Sequence, residues 1–195
     1  MNKFGFLMLT TALVTTPLTV MAQYTGGDVK DGGSISGTVK FKGTAPAPKK
    51  LDAKKVTLDQ NGCEYKPHVL AFPAGSTVEI LNPDGILHNV HSYSKVNSPF
   101  NQAQPKFKKT LEVKVDKPEA VEVKCDVHGW MQGWLVATAN PYFAVTDGSG
   151  SFKLTDVPAG SYTVEVWHEK LGKSTQKVAV KAKEDAKVSF EVAGK

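Results

Sequence analysis

The chain has 195 residues and a formal charge of +5, and all 24 of its basic residues are Lys. Without the planar fork of Arg, a specific reader of nucleic acid or phosphate is not expected, and the Lys reads as solubility and guarded strand edges. Gly and Pro are frequent but aperiodic and punctuate apolar runs, which excludes collagen and disorder.

At the N-terminus, Met1-Asn2-Lys3 is a short positive region, and Phe4 to Val20 is an apolar run interrupted by Thr and one Pro. Val20-Met21-Ala22 offers small residues where signal peptidase cuts, so residues 1–22 are expected to be a cleaved signal peptide. The run is too short and too Thr-rich for a membrane span, and no second stretch approaches about 20 apolar residues. A periplasmic or secreted protein with no transmembrane helix is expected. What remains is enough for one large β domain or two small ones. Two Cys are too few for a disulfide framework and need an individual explanation.

Residues 23–55 read as a Gly/Asp-rich lead-in, one strand and a linker. In that strand Ile35, Val39 and Phe41 share a face opposite Ser36, Thr38, Lys40 and Lys42. A Pro-rich connection from Gly43 to Lys50 follows. Val69 to Phe72, the turn Pro73-Ala74-Gly75, and Thr77 to Leu81 are expected to form one hairpin. Leu111, Val113 and Val115 alternate with polar residues. Val121, Val123 and Cys125 do the same, so period two places the Cys125 thiol on a buried face. Trp134 to Ala139 closes this block.

After Asn140-Pro141 the texture changes. Asp147-Gly148-Ser149-Gly150 is a tight-turn signature, and Phe152 and Leu154 alternate behind it. Val157-Pro158-Ala159-Gly160 turns again into Tyr162, Val164 and Val166. Val178 and Val180, then Val188, Phe190 and Val192, supply further strands. No amphipathic helix is expected anywhere, and the fold class is all-β.

The chemistry is concentrated in Cys125-Asp126-Val127-His128-Gly129-Trp130-Met131. Cys, His and Met are soft-to-borderline donors that suit copper rather than magnesium or calcium. A strand end followed by a tight loop can fold three such donors around one ion, and His88 is the candidate for a fourth. His88 and His91 are three positions apart on an extended segment and face opposite ways, so at most one reaches the Cys125 face.

Phe72-Pro73-Ala74-Gly75, Asn82, His88-Asn89-Val90-His91 and Cys125-x2-His128-x2-Met131 together resemble a cupredoxin, with the short ligand-loop spacing of the amicyanin type. The resemblance covers roughly residues 56–140. It implies a Greek-key β-sandwich holding one type 1 (blue) copper per chain, with His88, Cys125 and His128 as trigonal ligands and Met131 as the weak axial one. It also implies that Asn89 ties the two ligand loops together and helps hold the thiolate. Val127 and Gly129 stand where the amicyanin loop has Pro, which loosens this loop.

The implied activity is outer-sphere electron transport by a carrier, not an enzyme, with redox protein partners docking near His128 and Trp130, where Pro99-Phe100 would extend the apolar patch. Residues 141–195 resemble a carboxypeptidase regulatory-like, transthyretin-like sandwich, a non-catalytic accessory domain. The strand from Ile35 to Lys42 resembles the first strand of that family, which would make the cupredoxin an insertion.

Two other readings compete: a copper chaperone or storage module, and a metal-free interaction protein with a Cys63–Cys125 disulfide. Cys63 and His68 precede the Val69 strand at the end of the sandwich that carries Asn82 and the ligand loops. An outer-shell role or a second metal site is open to them, beside the plainer reading of a buried thiol and a surface imidazole. His168 is expected to be a hydrogen-bonded structural residue.

Overall fold

The computed structural model describes residues 33–42 and 56–193, with side chains at 33–38 and 56–193. The expected signal segment and the Pro-rich connection lie outside the described residues. Among the described residues every regular element is a strand, and no helix is long and apolar enough to cross a membrane. In chain order the strands begin with β1 (Gly33–Lys42), β2 (Thr57–Gln60), β3 (Tyr65–Lys66), β4 (Val69–Pro73) and β5 (Thr77–Leu81). They continue with β6 (His88–Ser92), β7 (Asn101–Gln104), β8 (Thr110–Lys114), β9 (Glu119–Lys124) and β10 (Gln132–Thr138). The last four are β11 (Ser151–Val157), β12 (Gly160–His168), β13 (Gly172–Val180) and β14 (Asp185–Ala193).

Strands β2 to β10 build two sheets, ordered β3-β2-β5-β8 and β4-β10-β9-β6-β7. The alternation in the sequence explains how they pack. Val78, Ile80, Leu111 and Val113 point inward from the first sheet, and Val121, Val123, Leu135 and Ala137 from the second, into one buried cluster. Each of these Val, Leu and Ile side chains contributes about 1.5–3 kcal/mol when withdrawn from water.

The expected hairpin of residues 69–81 is not formed. β4 pairs in parallel with β10, while β5 pairs with β8 and β2 in the other sheet. The Pro73-Ala74-Gly75 turn therefore carries the chain across the sandwich. Gly75 at φ 85° makes the bend, and its N–H bonds Val115 O at 2.8 Å.

The smaller unit has a three-stranded sheet, β11-β1-β14, and a two-stranded ribbon, β12-β13. β1 lies between β11, antiparallel, and β14, parallel. Its core is Ile35, Val157, Val180, Val188 and Phe190. The two units meet where Glu169 accepts hydrogen bonds from His68 Nε2 at 2.9 Å and from Trp134 Nε1. Trp134 also packs edge-on against Trp167, with ring centroids 4.9 Å apart.

Candidate metal centre

One end of the larger sandwich gathers the donors. His88 opens β6 and is fully buried. Its Nε2 lies 3.0 Å from Asp84 Oδ2. An ionised carboxylate only accepts, so neutral His88 carries its proton on Nε2 and turns the Nδ1 lone pair inward. That Nδ1 faces His128 Nδ1 at 3.1 Å. Two nitrogens sharing one first-row ion at about 2 Å would stand about that far apart.

Cys125 follows the last residue of β9 and is 2 % exposed, as the alternation of β9 requires. Its Sγ lies 3.7 Å from His128 Nδ1. The loop to Met131 is closed on itself, because Cys125 N–H bonds Met131 O at 3.2 Å and Met131 N–H bonds His128 O at 2.9 Å. Met131, 1 % exposed, belongs to the core beneath the loop. Thus His88 and Cys125 each approach His128 Nδ1, and Met131 closes the loop from below.

His91 leaves the site, also as its spacing requires. Its Nδ1 bonds Asp126 at 3.1 Å and its ring stacks on Tyr93. Asn89 ties the two loops, though through Asp126. Its Oδ1 accepts from Asp126 N–H at 2.7 Å, and its Nδ2 donates to Asp126 Oδ2 at 2.9 Å and Asn101 Oδ1 at 2.8 Å. Hydrogen bonds from His91, Asn101 and Asn89 hold the Asp126 carboxyl below its ordinary range, against a small desolvation cost.

The structure brings a further donor to the site. Cys63, His88 and His128 offer ligand atoms that all lie within 4.8 Å of one another. Cys63 and Cys125 are both free thiols, with no bridge between them. Cys63 occupies the turn between β2 and β3, where Gly62 has φ 68° and Cys63 φ 52°. That two-residue turn needs positive φ at both positions and favours Gly or Asn in the second; holding Cys there costs about 1 kcal/mol.

The N–H groups of Gly62 and Cys63 both donate to Asp84, at 2.8 and 2.9 Å, and Trp130 Nε1 donates to Cys63 O at 3.1 Å. Partial burial works against the charge on Asp84, yet these two N–H groups and His88 hold its carboxyl below the usual range. The position of Cys63 at one end of the sandwich was readable in the sequence; its approach to His88 and His128 depends on the hand of this turn.

His68 is not part of the centre. Its Nε2 bonds Glu169 and its Nδ1 lies 3.2 Å from Gln132 O, so it serves the contact between the units. His168 accepts the Lys170 N–H at 3.1 Å, a structural role as expected.

Around the site the exposed apolar side chains are Ile86, Leu87, Val127 and Trp130, the last 68 % exposed with its ring centroid 5.4 Å from that of His128. Phe100, expected in this patch, packs instead against the core. A buried imidazole lone pair, a second imidazole and two thiols fit a soft transition metal such as copper.

A family profile described as "Polysaccharide lyase family 4, domain II" matches residues 115–188, less than half of the chain. No curated protein matches the sequence. Among solved structures, the chain is similar to a purple cupredoxin from Nitrosopumilus maritimus, at 21 % identity over 45 % of this chain and 100 % of that one, with a TM-score of 0.37. It is also similar to the reduced state of an amicyanin variant, at 21 % identity over 42 % of this chain and 80 % of that one, TM-score 0.38. The Cu(I) form of another amicyanin variant is 19 % identical over 48 % of this chain and 86 % of that one, TM-score 0.39. These likenesses are faint, and the chemistry of the centre stands on its own donors.

Proposed function

We propose that the chain is an exported mononuclear copper protein, an electron carrier rather than an enzyme. His88, Cys125 and His128 would hold the ion, with the Met131 thioether as a weak further donor. The observation that carries this reading is the fully buried His88, fixed by Asp84 through Nε2, with Nδ1 3.1 Å from His128 Nδ1 and Cys125 Sγ 3.7 Å from the same nitrogen.

Copper, when bound, supplies a one-electron couple. The protein's own contribution is to keep the donors in place in both oxidation states. Asp84 fixes the His88 ring, the Asn89–Asp126 bonds lock one ligand loop to the other, and Met131 seals the loop against the core. Holding the donors rigid keeps reorganisation small when an electron moves. Val127 and Trp130, with Ile86 and Leu87, form an apolar rim at His128 where a redox protein can approach. The smaller unit is an accessory sandwich of the carboxypeptidase regulatory-like kind. Cleavage after residue 22 delivers the protein to the periplasm or outside the cell.

The test is the visible absorption and paramagnetic resonance spectrum of the mature protein loaded with Cu(II), beside Cys125→Ala. An intense thiolate-to-copper band with narrow hyperfine splitting, lost in the variant, is expected. A pale spectrum unchanged by the substitution overturns the carrier reading.

A further inference from the structure

We propose that Cys63 is a metal ligand of this centre, so that the ion is held by two thiolates and two imidazoles rather than by one thiolate. The inference rests on the copper-site reading and deepens it. Cys63 comes from the β2–β3 turn, a different part of the chain from the Cys125–Met131 loop, yet its ligand atom lies within 4.8 Å of those of both His88 and His128.

The donors it joins are already turned toward an ion. His88 is fully buried, and its Nε2 is committed to Asp84, which leaves only the Nδ1 lone pair to face the cluster. Nothing about the hairpin itself asks for a thiol at residue 63. Its φ of 52° favours Gly or Asn, and no disulfide uses the sulfur.

Asp84 joins the two halves of the site, since one carboxylate receives the N–H groups of Gly62 and Cys63 and the Nε2–H of His88. The exposed Trp130 on the ligand loop reaches across to Cys63 O. The turn carrying Cys63 is thereby bonded both to an imidazole donor's partner and to the loop carrying the others. Thiols bind as thiolates, so each of the two Cys gives its proton to solvent as the metal enters. Such an N2S2 set is softer than N2S with a thioether and accepts tetrahedral ions readily.

The test titrates Co(II) into the reduced, metal-free full chain and into Cys63→Ser, Cys63→Gly and Cys125→Ser. It reads thiolate-to-Co(II) charge-transfer intensity per bound ion, together with alkylation of Cys63. Cys63→Gly relieves the positive φ and preserves the turn, so lost intensity in it does not reflect a misfolded hairpin.

The expected result is that either Cys63 variant loses about half of the intensity, and that Co(II) slows alkylation of Cys63 by on the order of tenfold in the unsubstituted protein. Full intensity in both Cys63 variants with the band abolished in Cys125→Ser overturns the second ligand and leaves the one-thiolate centre standing. No thiolate band in the unsubstituted protein overturns both.

Discussion

Asp84 is the residue on which the centre depends most without being a donor itself. It accepts from His88 Nε2 and from the N–H groups of Gly62 and Cys63, so removing its carboxylate frees the imidazole and the turn together. Carboxylates that orient metal-binding imidazoles typically carry 10–100-fold in affinity. Asp84→Ala is therefore expected to weaken metal binding by about that factor, which competition against a chelator measures. At this scale the sequence was legible where donors are neighbours along the chain. Cys125, His128 and Met131 lie within seven residues, and the alternation of β9 fixed which way Cys125 points. Asp84, four residues before His88, was not legible as part of the site, and Cys63 was legible only as a residue at that end of the sandwich, open to an outer-shell role or a second metal site. Their roles depend on a turn of unusual hand and on the pairing of β2 with β5, which no local pattern displays.

Among the elements, the segment between β6 and β7 is organised by one carboxylate at the start of β9. Glu119 accepts from the Ser94 hydroxyl at 2.6 Å, from the N–H groups of Lys95, Val96 and Asn97, and from Asn97 Nδ2 at 2.9 Å. Desolvation opposes its charge, but the bonds from Ser94, Lys95 and Asn97 outweigh it and bring its pKa down to about 2 from 4.5. The folded state thus binds fewer protons than the unfolded chain between those values. The stabilisation is complete above about pH 4.5 and is lost as pH falls toward about 2. Glu119→Gln is expected to lower stability near neutral pH and to flatten the acid limb of the curve, which denaturant melts between pH 2 and 6 would show. Most strand positions were read from the sequence, but β2, β3 and β7 were not, and neither were the partners. β4 and β5 are separated by a turn signal and look like a hairpin, yet Leu70, Ala71 and Phe72 are all buried. A strand buried on both faces carries no alternation to show which sheet it joins.

At the scale of the molecule, the first of the described strands closes the unit formed by the last four. β1 supplies Ile35 to the smaller core and is hydrogen-bonded on both edges, so that unit is completed only after strands β2 to β10 have intervened in the chain. The resemblance of the segment from Ile35 to Lys42 to a first strand of a small sandwich hinted at this, but pairing across so long a separation has no local signature. Gly37 is the position where the arrangement can be broken selectively. A Cβ added there would stand 1.8 Å from the Val188 carbonyl oxygen, a backbone atom of β14 that cannot swing aside. Overpacking of this kind costs about 3 kcal/mol or more, a large share of the stability of so small a unit. Gly37→Ala is expected to lower the melting of the smaller unit by more than about 10 °C while the larger sandwich keeps its transition and its metal affinity. Differential calorimetry with and without Co(II) separates the two, since the ion raises only the transition of the unit that binds it. If Gly37→Ala left both transitions unchanged, β1 would not be the central strand of that sheet. If it lowered both equally, the contact through Glu169, His68 and Trp134 would be strong enough to make the two sandwiches a single cooperative unit.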